Sequence, residues 1–303
     1  MGRPVQVIGV PADFGANRRG VDMGPSAIRY AGLADQLTSA AVEPTDAGDL
    51  LVSRMEEPTA DAGPGSAKFL DEIEGLCTRL TEEVAAAIES GKFPLVLGGD
   101  HSIAIGTLAG SARDAAIGAI WFDAHGDFNT PATSASGNVH GMPLAAALGR
   151  GAFADMPWAQ ATGLQEENLV WVGLRNLDDA ERETIRASDA TAYTMSDIDE
   201  RGVGPVVDEA VDVAADGVDG LHVSLDLDWV DPDEAPGVGT PVRGGVTYRE
   251  AHTAMEVVAR KATEAGALRS MDVVEVNPIL DTENRTASLA AELAASGLGK
   301  RIL

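Results

Sequence analysis

A chain of 303 residues with 45% hydrophobic but only 4% aromatic content builds its core from Ala, Val, Leu and Ile, as one large α/β domain or two smaller ones. Its formal net charge of −26 excludes nucleic acid as a partner, because phosphates are bound by Lys and Arg. No apolar run approaches the roughly 18 residues of a membrane span, and the lone cysteine, Cys77, excludes an intrachain disulfide and suits a reducing, cytoplasmic setting.

The N-terminal MGRPVQVIGVPAD has an apolar stretch too short for the core of a signal peptide and reads as a first strand over 5–10. GPSAIRYAGLADQL predicts a helix over 24–37, and the Pro-, Gly- and Asp-rich stretch 53–66 a loop. SAKFLDEIEGLCTRLTEEVAAAIES predicts a long helix over 66–90, stopped by Gly91. PLVLGG (94–99), GAIWFD (118–123) and NLVWVG (168–173) are short and do not alternate, as expected of strands covered on both faces. GPVVDEAVDVAAD predicts a helix before the strand LHVSLDLD (221–228); 229–245 reads as a second loop. TYREAHTAMEVVARKATEAG predicts a helix before the last strand, SMDVVEVN (270–277). Strand–helix alternation points to a mostly parallel sheet between helical layers. There is no internal repeat, and neither loop has the character of a linker, so a single domain over 1–303 is expected.

In such sheets ligands bind beyond the carboxyl ends of the strands. Four exits are polar in the same manner. They lead into Asp100-His101-Ser102, into Asp123, His125 and Asp127, into Asp226 and Asp228, and into Glu275 and Asn277. Of the five histidines, His101, His125 and His140 lie at or just after these exits. His222, inside an apolar strand, is expected to be a satisfied core residue, and His252 to lie on a helix surface. A single histidine at a strand end is more often structural. The Asp-x-His-x-Asp triplet changes the balance, since alternation would put all three side chains on one side of an extended chain. Asp226-x-Asp228 ends another strand in the same way. Four carboxylates and two imidazoles brought together would repel by something on the order of several kcal/mol. Two divalent ions would balance the four negative charges. The oxygen-rich donor set suits Mn²⁺ or Mg²⁺ better than structural zinc, for which thiolates are expected. Helix capping or a single Ca²⁺ is the plainer alternative.

The blocks GGDHS (98–102), FDAHGDFN (122–129), SGNVHGMP (136–143), SLDLDWVDPDEAPGVGTPVRGG (224–245) and VEVNP (274–278), with GVPADFGANRRGVDMGPSAIR (9–29), resemble the ureohydrolases, and among them the arginases. The resemblance spans nearly the whole chain. It implies a single-domain, three-layer α/β/α fold with a central, mostly parallel sheet. It also implies hydrolysis of the guanidinium group of L-arginine to L-ornithine and urea by a water that two metal ions activate. One ion would be held by His101, Asp123, Asp127 and Asp226, the other by His125, Asp123, Asp226 and Asp228, with Asp123 and Asp226 bridging. Two Mn²⁺ per subunit are expected, with Co²⁺ or another divalent ion the alternative. Two cations sharing a water lower its pKa from about 15.7 towards neutrality. A hydroxide is needed because resonance makes the guanidinium carbon a poor electrophile.

By the same resemblance Glu275 would pair with the guanidinium group, whose planar fork of donors matches a carboxylate. A buried ion pair with an arginine is the plainer reading. His140 would carry a proton to the leaving amine, with Asp127 a ligand and a candidate relay; histidine is the side chain whose unperturbed pKa lies near neutral. Asn129, Ser136 and Asn138 would face the substrate α-carboxylate, Asp178 the ammonium group, and Thr240 the guanidinium end. Asn176 stands where several arginases carry Asp, which bears on how the α-amino group is read.

The nearest rival is an agmatinase or another enzyme of guanidino compounds that keeps the metal site; TSASGNVHGMP resembles arginases more. A catalytically idle binding protein of the same fold is the other class of reading. A homo-oligomer, trimer or hexamer, is expected from the family, with Arg249 and Glu250 of the TYRE segment near subunit contacts. The charge of −26 with only four lysines (Lys68, Lys92, Lys261 and Lys300) resembles proteins of salt-rich cytoplasms, because a surface that repels itself in dilute buffer is screened in concentrated salt. An acidic mesophile protein is the alternative.

Overall fold

A computed structural model describes residues 3–16, 18–52, 66–265 and 267–301. The apolar runs form the middle of one sheet. Its strands are β1 (Pro4–Val10), β2 (Glu43–Asp49), β3 (Phe93–Gly98), β4 (Ile117–Phe122), β5 (Leu164–Leu174), β6 (Thr191–Thr194), β7 (Gly220–Asp226) and β8 (Leu268–Val274). Their order is β2-β1-β3-β8-β7-β4-β5-β6, and every neighbouring pair is parallel. β3, β4 and β7 are buried at every residue, which is why their sequences do not alternate.

The helices are α1 (Gly24–Tyr30), α2 (Leu33–Ser39), α3 (Leu70–Glu89), α4 (Ala104–Ser111), α5 (Pro143–Ala147), α6 (Asp179–Arg186), α7 (Met195–Arg201), α8 (Val203–Ala214), α9 (Tyr248–Ala265) and α10 (Arg285–Gly297). Two cores flank the sheet. One takes its apolar side chains from α1, α2 and α7 to α10, through residues such as Ile28, Leu37, Val207, Met255 and Leu293. The other takes them from α3 to α6, through Leu76, Leu80, Ile105, Leu144 and Ile185. The result is a single α/β/α domain of three layers, as expected.

Several details differ from the sequence reading. The helix predicted over 24–37 is broken into α1 and α2 by Gly32, whose φ is 87°. β2 and β6 went unpredicted; they are the two edge strands, one of them polar and largely exposed and the other four residues long. The loop predicted over 53–66 lies, up to residue 65, outside the described residues. His252 is buried rather than on a helix surface. α9 turns it against α10, where its Nδ1 meets Ser296 Oγ at 2.8 Å.

The topology places the site. β3 pairs with β1 and β8, while β4 pairs with β5 and β7. The chain therefore leaves β3, crosses to β4 three positions away, and returns later to fill the gap with β7 and β8. All four polar exits belong to these four adjacent strands.

Candidate metal centre

β4 ends at Phe122, one residue before the acidic triplet. The extended alternation expected over 123–127 is absent. Asp123 Oδ1 instead accepts the His125 N–H at 2.7 Å, and Asp127 adopts a positive φ of 51°. The three side chains are brought together by a curled loop, at a backbone conformation that Asp tolerates better than most residues. The second pair follows the same logic: β7 gives way to a short 3₁₀ turn at Leu227–Trp229, and Asp226 Oδ1 accepts the Asp228 N–H at 2.7 Å. Asp228 Oδ1 also accepts the Ala124 N–H at 3.2 Å, locking the two loops together.

His101 sits in the first turn after β3. Its Nδ1 lies 3.3 Å from Asp123 Oδ2, 3.0 Å from Asp127 Oδ2 and 3.1 Å from Asp226 Oδ2. His125 Nδ1 lies 3.0 Å from Asp228 Oδ2 and 3.5 Å from Asp123 Oδ1. Two clusters result, His101-Asp123-Asp226 and Asp123-His125-Asp228, each with ligand atoms within 4.8 Å of one another and with Asp123 common to both. The Trp121 ring stacks on His101 at 4.1 Å between centroids, and its Nε1 donates to Asp123 Oδ2 at 2.9 Å.

The electrostatics point to cations. Burial, with the charges of Asp228 and Asp123 added, pushes Asp226 well above the usual carboxylate range. Burial and the neighbouring Asp123 raise Asp127 to about 6. Burial raises Asp228 as well. Burial opposes a charge on His101, yet contacts with Asp123, Asp127 and Asp226 outweigh it and hold the imidazole well above its ordinary value. Burial opposes a charge on Asp123 too, but His101 and His125 hold it below the usual carboxylate range, so without cations Asp127, Asp226 and Asp228 are the carboxyls that hold protons more tightly. Divalent cations would replace those protons, and the buried Nδ1 of His101, which has no hydrogen-bond partner, is oriented for such a bond. The donor set fits a pair of hard divalent ions.

The remaining predicted residues fall around one cavity of about 240 Å³, lined by both histidines with Asp127, Asn129, His140, Asn176, Asp178, Glu181, Asp226 and Thr240. A contiguous recess shares His125, His140, Asn176 and Thr240 and adds Glu275. His140 Nδ1 and the His101 N–H both meet Glu275 Oε1, at 3.1 and 3.0 Å. Glu275 Oε2 is buried with no partner. Burial opposes charge on both members of this pair, but their mutual contact prevails: His140 is raised to about 9 and Glu275 held below its usual range. Glu275 also has a φ of 64°, a strained value for a residue of its size.

Thr240 Oγ1 donates to Asp228 Oδ2 at 2.9 Å. Asn176 Nδ2 lies 3.3 Å from His125 Nε2. Asp178 caps α6, accepting the Glu181 N–H at 2.8 Å, and its other oxygen accepts from Asn129 Nδ2 at 2.9 Å. Ser136 and Asn138 are outside the cavity lining. The Asn138 N–H donates to Ser136 Oγ at 3.1 Å, Asn138 Oδ1 accepts from Lys68 Nζ at 3.1 Å, and Asn138 Nδ2 is buried without a partner.

Sequence reasoning missed Glu181. Its position three residues after Asp178 reads as an ordinary capping residue; only the fold shows that it is buried in the cavity wall, where burial and the charges of Asp127 and Asp178 raise it to about 8. Ser224 and Asp272, which stand behind His101, were missed too. Burial opposes a charge on Asp272, but His222 beside it holds the carboxyl below its usual range. A larger cavity of about 790 Å³ lies near Met23, Tyr30 and Leu51 but contains no histidine, so the chemistry belongs to the smaller one.

The profile of the arginase family matches residues 3–299. The chain belongs to the arginase family. It is 48% identical over 306 residues to the arginase of Bacillus subtilis, with 100% of both chains covered. Its fold is similar to the crystal structure of the arginase from Bacillus caldovelox, with a TM-score of 0.92, 46% identity, and 99% of this chain and 100% of that chain covered. It is less similar to a hypothetical agmatinase from Burkholderia thailandensis, with a TM-score of 0.74, 25% identity, and 98% of this chain and 85% of that chain covered. A binuclear metal centre, typical of the family, accords with the two donor clusters that share Asp123.

Proposed function

We propose that the chain hydrolyses the guanidinium group of L-arginine to L-ornithine and urea, with 1–303 acting as one catalytic unit. The observation that carries this is the convergence of buried His101, Asp123, Asp127, Asp226 and Asp228 with half-buried His125 at the floor of a cavity, in a member of the arginase family. His101 and Asp127 would hold one divalent ion and His125 and Asp228 the other, with Asp123 and Asp226 shared; Mn²⁺ is our assignment, and Co²⁺ also suits the donors. Ions bound there supply a water acidic enough to ionise near neutral pH.

The chain's own residues bind and move protons around that centre. Glu275 offers its unpartnered Oε2 to the N–H donors of the guanidinium group. His140, raised to about 9 by Glu275, carries at neutral pH the proton that the leaving amine needs. Asp127, a ligand in this reading, is also the candidate relay between the water and His140. Thr240 steadies Asp228 at the guanidinium end. At the outer end, Asp178 faces the α-ammonium group, and Asn129, Ser136 and Asn138 supply donors to the α-carboxylate. The free Nδ2 of Asn138 favours that last assignment.

Arginine and agmatine differ by that carboxylate. The buried Nδ2 of Asn138, which has no partner, would be left unmatched by agmatine, and a buried unmatched donor costs about 1–3 kcal/mol. Urea release from both substrates, with and without Mn²⁺, tests the reading. A preference for L-arginine of at least about a hundredfold in kcat/KM is expected. Equal turnover would overturn the arginine assignment while leaving guanidino hydrolysis standing. Inactivity on both with Mn²⁺ bound would mark a binding protein.

We further assign the protein to a cytoplasm rich in salt, on its charge and lysine content, and to a homo-oligomer, trimer or hexamer, built near the start of α9. There Arg249 is largely exposed, while Glu250 accepts the Thr247 N–H at 2.8 Å.

A further inference from the structure

Asp100 leaves β3 beside His101, yet it belongs to neither donor cluster and plays no part in the reaction above. Its side chain is fully buried. Oδ1 accepts the Ser102 N–H and Oδ2 the Gly15 N–H, both at 2.9 Å. The first contact caps the turn that carries His101. The second reaches a different part of the chain, residues 11–16, which follow β1 and lie in no helix or strand. The Asp100 N–H holds the same stretch, donating to the Ala12 carbonyl at 2.9 Å. A carboxylate in so dry a position is costly unless it has donors to hold.

The stretch that Asp100 holds in turn holds His140. The Gly15 carbonyl accepts the His140 N–H at 3.2 Å, and Ala16 shares the recess with His140 and Glu275. His140 is therefore fixed at two points, its backbone by Gly15 and its ring by Glu275, whose Oε1 lies 3.1 Å from Nδ1. The approach to Asp100 is close: a Cβ on Gly15 would stand 2.4 Å from Asp100 Oδ1 and 2.9 Å from Ser102 Oγ. Both oxygens of a carboxylate accept, so one side chain satisfies the two backbone donors. An asparagine amide accepts at one atom only and would bring its own N–H₂ against the other backbone N–H.

We propose that Asp100, acting through Gly15, positions His140 for proton transfer to the leaving amine. Asp100 is a positioning residue; it lines neither the cavity nor the recess beside it. The inference rests on His140 being the proton carrier and not on the identity of the guanidino substrate.

Steady-state urea release by the Mn²⁺-loaded protein tests it, in the unsubstituted chain and in a His140→Ala background, with bound Mn²⁺ per chain and melting temperature measured alongside. Asp100→Asn is expected to lower kcat by roughly 10–100-fold, the scale of a misplacement of about 1 Å, with KM and bound metal unchanged. In the His140→Ala background it should lower kcat no further, because the group it positions is gone. Gly15→Ala, which presses on the same contact from the other side, should show the same pattern. An equal further loss in the His140→Ala background, or loss of Mn²⁺, would assign Asp100 to capping the His101 turn and overturn the inference. Failure of both variants to fold would overturn it too. If His140→Ala itself leaves kcat unchanged with metal bound, the proton-carrier reading falls and this inference falls with it. A fall in kcat for His140→Ala but none for Asp100→Asn overturns this inference alone.

Discussion

Asp123 serves both donor clusters, so a substitution there reaches both. Asp123→Ala would remove a ligand from each ion of the proposed centre and also strips the acceptor from Trp121 Nε1. We expect loss of bound metal per chain, by elemental analysis, and a fall in urea release by orders of magnitude; retention of two ions with near-normal turnover would remove Asp123 from the centre. His140 makes the opposite prediction. His140→Ala should keep metal content and lower kcat by about 10²–10⁴-fold, the usual range for a general acid or base. Loss of metal instead would make His140 a ligand or a structural residue. The pair it forms with Glu275 also leaves a signature in stability. The folded pKa of His140, about 9, lies above its ordinary 6.5, so its contribution is complete below 6.5 and is lost as pH rises through about 9. Glu275 is held below 4.5, so its contribution is present above 4.5 and is lost as pH falls through the depressed value. Denaturant melts of the metal-free protein should therefore show a loss of stability approaching pH 9 that His140→Ala removes.

At the scale of elements, the glycine after β3 shows how tightly the exits are joined. A Cβ on Gly99 would stand 1.8 Å from the Ala12 carbonyl oxygen, while Gly99 O accepts the Glu275 N–H at 2.9 Å. Gly99→Ala must push apart the ends of β1, β3 and β8. We expect a stability loss of about 1–3 kcal/mol in denaturant melts together with weaker Mn²⁺ binding; a variant unchanged in both would show that the exits are not rigidly coupled. The six central strands were legible because burial on both faces demands uninterrupted apolar runs, as in PLVLGG and GAIWFD. β2, with the sequence EPTDAGD, was not, because an edge strand needs only backbone partners. The candidate ligands were legible from residue type and spacing, yet the reason they meet was not. Strand alternation predicted their convergence, but the loop and the left-handed backbone of Asp127 produce it. Glu181 and Asp272 were illegible for another reason: an acidic residue looks the same in sequence whether it faces water or is enclosed by neighbours far away along the chain.

Across the whole molecule, charge sets the behaviour. Cations are so scarce that several are shared. Arg29 contacts both Asp46 and Asp49, and Lys261 both Asp208 and Asp212. Surface pairs of this kind contribute little, about 0–1 kcal/mol each, so screening them costs less than screening the repulsion among the surplus carboxylates relieves. The melting temperature should rise from low salt to molar KCl. A flat or falling curve would return the protein to the acidic-mesophile reading.

The slot between β3 and β4 has a consequence for how the protein is made. A chain synthesised only as far as Arg201 contains β1 to β6, yet these belong to two separate ladders, β2-β1-β3 and β4-β5-β6, that are not paired with one another. β7 and β8 must enter between two strips whose facing edges are already apolar and unpaired, the situation in which nascent sheets are most exposed to mispairing. Asp226 and Asp228 arrive with β7, so neither donor cluster exists in any form until the last third of the chain has joined the two strips into one.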